Sequence, residues 1–224
     1  MTNFIQTPHG SKLAYNQSFG KENSFVFLSG FGSDMQGKKA LFIEKWAKDN
    51  NYSFLRFDYS GHGLSSNNLN ETCFTDWYND AEFLIKKLTT GKQILIGSSM
   101  GGWVMLMLCK LLPEKVSAMI GLAPAPDFPQ NLIWKNMNSL QRRQLILNKS
   151  INFVDQNGSN NFFSYNLIKD SFKNLTLSDD IFFEGPINIY HGMKDQDVPY
   201  SMSIEILKKI KGSQNVSLLL DKEA

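Results

Sequence analysis

Ser99 stands at the centre of Gly97-Ser98-Ser99-Met100-Gly101, a G-x-S-x-G arrangement. A serine held at the tip of a strained turn needs residues without bulk two places before and two places after it. Gly97 and Gly101 meet that need for Ser99. For Ser98 the same places fall on Ile96 and Met100, so the spacing selects Ser99. The chemistry is acyl transfer, in which the serine oxygen attacks an acyl carbon. That reaction also needs a base, an acid to orient it, and donors for the oxyanion.

The donors beside such an elbow are backbone N–H groups, one from the residue after the nucleophile and one from an earlier strand-to-helix turn. These positions are Met100 and Phe31. Gly30 and Gly32 flank Phe31 and leave its backbone open to close approach. For the acid, His191-Gly192-Met193-Lys194-Asp195-Gln196-Asp197-Val198-Pro199 fits H-G-x-x-D-x-x-V-P with Asp195 as its aspartate. Asp197 falls two positions late and is expected to face solvent. Asp127, after the preceding strand, is the alternative to Asp195. The three histidines are poor bases: His9 reads as a surface turn residue, His62 as a loop-shaping residue, and His191 is held by the strand that carries it. A metal on His191, Asp195 and Asp197 lacks a further ligand cluster. No cofactor and no metal are expected.

The elements that must position these residues alternate between strand and helix, which predicts an α/β fold with a mostly parallel sheet covered on both faces. Strands are expected at 24–28, 52–57, 93–96, 116–122, 186–190 and 216–220. Helices are expected at 38–50, with Leu41, Phe42 and Trp46 inward, over 77–88 capped by Thr75 or Asp76, and at 103–112 and 202–211. Residues around Phe4-Ile5 and Leu13-Ala14-Tyr15 suggest an edge hairpin. Residues 126–185 break the alternation, with no strong strand and helices near 140–148 and 166–172. An insertion there would lie over the strand ends where ligands bind, as a small helical cap. The expected division is an α/β core at 1–125, the cap at 126–185 and the core again at 186–224.

Composition narrows the class. Hydrophobic residues make up 42% of the 224 residues, and the formal charge is +2. No basic cluster calls for nucleic acid or membrane binding, no apolar run is long enough to span a bilayer, and no signal peptide is visible at the start. Cys73 and Cys109 make no disulfide framework. The expectation is a cytoplasmic enzyme acting on a small acyl substrate.

These motifs resemble the α/β-hydrolases, and within them the mitochondrial palmitoyl-protein thioesterase and acyl-glucuronide esterase type with its bacterial relatives. The resemblance rests on Lys39-Ala40-Leu41 with Ile43-Glu44, on Arg56-Phe57-Asp58-Tyr59-Ser60-Gly61, on the elbow through Gly102-Trp103, and on His191-Gly192-Met193-Lys194-Asp195. It implies a serine hydrolase using a Ser-Asp-His triad. In that family the histidine lies just after the last strand and a closing helix follows. Both are missing from residues 1–224, which implies a truncated chain with weak activity of its own. A catalytically inactive binding protein of the same fold, an aminopeptidase and a carbon–carbon hydrolase are the alternatives.

Overall fold

Short apolar runs separated by glycine-rich turns form the strands, and the amphipathic stretches between them cover the sheet. The computed structural model describes residues 2–21, 23–154 and 160–224. An edge hairpin comes first, β1 (Asn3–Gln6) with β2 (Lys12–Ser18). Next come β3 (Ser24–Leu28), α1 (Lys38–Asp49), β4 (Ser53–Phe57) and α2 (Phe74–Leu88). They lead into β5 (Gln93–Ser98), α3 (Met100–Leu111) and β6 (Val116–Leu122). A π-helical turn at Pro129–Trp134 opens the following segment. It holds α4 (Ser139–Asn148), β7 (Ser150–Val154), β8 (Asn160–Ser164), α5 (Tyr165–Ser171) and β9 (Ile181–Phe183). The last elements are β10 (Ile187–Gly192), α6 (Ser201–Lys209), β11 (Ile210–Gly212) and β12 (Val216–Asp221).

The main sheet runs β1-β2-β4-β3-β5-β6-β10-β12. β2 pairs antiparallel with β1 and β4, and every later pairing is parallel. The expected architecture is therefore present. Helix α3 is buried from Met100 through Cys109, as a helix apolar on all sides must be. α2 packs Trp77, Ala81, Leu84 and Ile85 into the same core.

Three expectations need correction. Helix α1 turns Ala40, Glu44 and Ala47 to the sheet, whereas Leu41, Phe42 and Trp46 are exposed. The small alanines allow close approach, and buried Glu44 is matched by Arg56 of β4, whose Nε lies 2.9 Å from Glu44 Oε2. Trp46 instead stacks on Tyr52 at 5.3 Å. Helix α2 is capped by Cys73, with Asp76 Oδ2 accepting from Cys73 N at 2.8 Å; Thr75 N and Oγ1 donate to Asp170. Residues 126–185 do contain strands, since β7 and β8 pair as an antiparallel hairpin and β9 pairs with β11. The two strands read Ser-Ile-Asn-Phe-Val and Asn-Asn-Phe-Phe-Ser, in which Asn and Ser interrupt the apolar residues, so a search for continuous apolar runs passes over them.

Candidate active site

Register brings the two key turns together. Leu28 of β3 lies opposite Gly97 of β5, so Ser29-Gly30-Phe31 and Ser98-Ser99-Met100 leave parallel strands side by side. Strand order diverges at this point, with β4 on one side of β3 and β5 on the other. Ligands in open α/β sheets bind at such a switch point, outside the carboxyl ends of the strands.

Ser99 adopts φ 52° and ψ −119°, a conformation that costs a non-glycine residue about 1–3 kcal/mol. Its neighbours hold it there: Ser99 N–H donates to Leu122 O at 3.0 Å, and Ser99 O accepts from Gly102 N and Ala125 N, each at 2.9 Å. The flanking glycines are required by space. A Cβ on Gly97 would lie 2.5 Å from Gly101 O, and one on Gly101 would lie 2.0 Å from Leu28 O. Met100 is the first residue of α3, so its N–H has no acceptor within the helix. A cleft of about 500 Å³ opens beside the serine, lined by Gly30, Phe31, Lys38, Lys39, Ser98 and Ser99. A Cβ on Gly30 would come 3.3 Å from Ser99 Cβ, which explains why the Phe31 turn passes so close to the serine.

The Phe31 turn is braced from beneath by charges that sequence reading left without a role. Asp58 is fully buried; its Oδ1 accepts from Met35 N at 2.6 Å and its Oδ2 from Leu64 N at 2.8 Å. Burial pushes the Asp58 carboxyl up, and those two N–H groups oppose the shift. Arg56 Nη1 donates to Met35 O at 2.8 Å. The available signal was an arginine inside an otherwise apolar strand, which needs a buried partner. On the next loop, Ser60 N donates to Asp80 Oδ2 at 2.7 Å, and burial raises the Asp80 carboxyl to about 6.

The two candidate acids differ in what their oxygens do. Both oxygens of buried Asp127 accept backbone hydrogen bonds, from Thr176 N at 2.8 Å and Leu177 N at 3.0 Å. That carboxylate fastens the 126–185 segment to the end of β6. Asp195 uses one oxygen, Oδ1, for Asp197 N at 2.9 Å and Val198 N at 2.8 Å. Its Oδ2 lies 3.7 Å from His191 Nε2 and its side chain is 26% exposed. Asp197 is exposed. The end of β12 and the residues after it run alongside this loop: Met193 N donates to Asp221 O and Lys194 N to Ala224 O, each at 2.7 Å.

The three histidines are engaged away from Ser99. His9 is exposed in the β1–β2 turn. His62 is buried among Phe31, Tyr59 and Trp77, and burial lowers its pKa. His191 is fixed at both ring nitrogens, Nδ1 with Ser203 Oγ at 2.7 Å and Nε2 with Val198 O at 2.8 Å. Among the described residues no group of three or more His, Cys, Asp and Glu is arranged to hold a metal ion.

Comparison with known proteins agrees with this geometry. A family model described as alpha/beta hydrolase fold matches residues 23–153. The mitochondrial palmitoyl-protein thioesterase ABHD10 of Rattus norvegicus is 33% identical over 226 residues, covering 99% of this chain and 74% of the rat protein. Its Homo sapiens counterpart is 35% identical over 99% of this chain and 72% of its own length. Among solved structures, alpha/beta hydrolase domain-containing protein 10 from mouse superposes with a TM-score of 0.92 at 31% identity, covering 100% of this chain and 90% of that one. A putative hydrolase from Agrobacterium vitis S4 gives a TM-score of 0.93 at 30% identity, with the same coverage. Among the described residues no helix is long and apolar enough to cross a membrane. The expected cytoplasmic location gains no support from the ABHD10 relatives, whose names place them in mitochondria.

Proposed function

The chain belongs to the α/β-hydrolase family, and we propose that it is a serine hydrolase of ester or thioester bonds, with acyl-protein or small acyl substrates. Ser99 Oγ attacks the acyl carbon. The N–H groups of Phe31 and Met100 hold the oxyanion, and Asp195 orients the base. The observation that carries the reading is Ser99 itself, pinned at positive φ between two glycines that tolerate no side chain, facing the Phe31 turn across a cleft.

In this reading the base is a histidine presented to Asp195 from beside its loop. Two features support it. His9, His62 and His191 have other surroundings, and the strand-end segment through Ala224 already lies against Gly192 and Lys194, beside the Asp195 loop. A catalytic histidine there would meet the Asp195 oxygen that makes no backbone hydrogen bond. Residues 126–185 serve as the cap that selects the acyl group, between hydrolase core at 1–125 and 186–224. The thioester preference is carried by the likeness to ABHD10.

The test is hydrolysis of acyl thioesters and esters by the full-length protein, with peptide amides and diketones as controls. Thioester or ester turnover is expected, and Ser99→Ala should lower kcat by about 10⁴- to 10⁶-fold. Asp195→Asn should cost about 10⁴-fold, by analogy with other triads. Turnover unchanged in Ser99→Ala rejects the proposal, and full activity in Asp195→Asn moves the acid elsewhere.

A further inference from the structure

Phe31 carries the second oxyanion donor of the hydrolase reading, yet its own backbone does little to hold it. It lies between Gly30 and Gly32, and Gly32 sits at φ 67°. Neither neighbour restricts the turn. Its internal hydrogen bond runs from Ser33 N to Gly30 O at 3.1 Å. The charged bracing beneath reaches only Met35, whose N–H and carbonyl are taken by Asp58 and Arg56.

The ring of Phe31 is held instead. Trp77 and His62 meet it from the core, with ring centroids 5.8 and 6.2 Å away. Trp77 is itself fixed, because its Nε1 donates to Ser60 O and Thr72 Oγ1, each at 3.2 Å. The 126–185 segment supplies the remaining contacts. Phe128, soon after β6, lies at 5.7 Å, and Phe163 of β8 lies at 5.5 Å with its ring only 16° from parallel. Both side chains are buried in the main core. Phe128 also meets Trp103 at 6.0 Å, so removing the Phe163 ring leaves that contact in place. Aromatic pairs favour particular mutual orientations, so the stacked pair constrains the direction of the Phe31 side chain.

We propose that Phe163 is a positioning residue for the reaction: by stacking on Phe31 it sets the direction of the Phe31 N–H toward the oxyanion beside Ser99. Without that contact, a turn flanked by two glycines samples other orientations of the peptide. An oxyanion donor acts through pre-set geometry, and a displacement of about 1 Å can cost about 10²-fold in rate. The 126–185 segment then has two separate jobs, choosing the acyl group and completing the oxyanion hole. The proposal rests on the serine-hydrolase reading and deepens it.

Steady-state kinetics of full-length Phe163→Leu and Phe163→Tyr test this, with a short ester and a long-chain acyl thioester as substrates. Leucine keeps apolar volume but loses the flat ring, whereas tyrosine keeps the ring. Phe163→Leu should lower kcat by about 10- to 100-fold for both substrates, with KM for the short ester changed less than about twofold. Acylation and deacylation use the same donors, so the loss appears whichever step limits. Rates are referred to titrated Ser99 sites, so partial unfolding does not mimic the loss. A boronic acid that forms a tetrahedral adduct on Ser99 should bind more weakly by a similar factor. Phe163→Tyr should stay within about threefold of the parent. An unchanged kcat in Phe163→Leu overturns the proposal, as does a loss confined to KM or to the long-chain substrate. An equal loss in Phe163→Tyr also overturns it. In those outcomes parent turnover still depends on Ser99 and the hydrolase reading stands, whereas turnover that survives Ser99→Ala overturns both.

Discussion

The turns around Ser99 and the segment between β6 and β10 are built on opposite terms. At the elbow there is no spare space: Gly97 and Gly101 face backbone atoms closer than any Cβ could approach. Buried Asp58, Arg56 and Glu44 fix the neighbouring turn through charge-assisted hydrogen bonds. The 126–185 segment instead exposes leucines on α4, while Phe128, Phe163, Leu167, Ile181 and Phe183 pack it into the main core. Polar ties to the core add Trp103 Nε1 to Thr176 Oγ1 at 2.7 Å and Thr75 to Asp170, and Asp127 ties the two ends of the segment to each other through Thr176 and Leu177. Positions that reacting atoms would depend on are held by close-packed backbone. The part proposed to meet variable substrates is anchored by its buried aromatic and aliphatic side chains, and its outer face carries no such backbone constraint.

Gly101→Ala should break that contrast from the core side. With Leu28 O only 2.0 Å from the added carbon, backbone must shift, and a loss of about 3 kcal/mol or more is expected. Chemical denaturation measures it; a loss under about 1 kcal/mol would mean that the elbow is looser than described.

A second test of the core uses pH. Burial raises Asp80 from its ordinary 3.8 to about 6 in the folded protein, so the folded state holds a proton that the unfolded state releases first. Stability from this group is complete below about pH 4 and is lost as pH rises through about 6, by roughly 2 kcal/mol. Asp80→Asn, whose amide oxygen can still accept from Ser60 N, should flatten this part of the profile. An unchanged profile in that variant contradicts the assignment.

Asp127→Asn should have the smallest effect. One of the two side-chain oxygens that accept from the Thr176 and Leu177 N–H groups becomes an NH₂ donor, at a cost of about 1–2 kcal/mol. If the segment selects substrate, KM for a long-chain acyl thioester should rise more than KM for a short ester, with kcat for the short ester little changed. Equal changes for both substrates would give Asp127 a purely structural role.

How much of this was legible in the sequence varied with the kind of signal. The parallel sheet was readable because its strands are continuous apolar runs and because Gly91, Pro113 and Gly212 stop three of the intervening helices. Ser99 was readable because bulk is excluded at two fixed spacings. The inward side of α1 was not, because residue size suggested Leu41, Phe42 and Trp46, whereas close approach to the sheet favours Ala40 and Ala47. Glu44 belongs on that side only because Arg56 waits there, a pairing between residues on separate elements that spacing does not reveal. The β7–β8 hairpin was hidden by its Asn and Ser residues. The H-G-x-x-D motif favoured Asp195 over Asp127, but spacing could not show how their oxygens are used, both by backbone N–H groups in Asp127 and only one of them so in Asp195.

The central claim is that Ser99 is an activated nucleophile, and covalent capture tests it most directly. The full-length protein treated with a fluorophosphonate should gain one adduct, mapped by mass spectrometry to Ser99, and Ser99→Ala should gain none. An adduct on another residue, or labelling that survives in Ser99→Ala, contradicts the account.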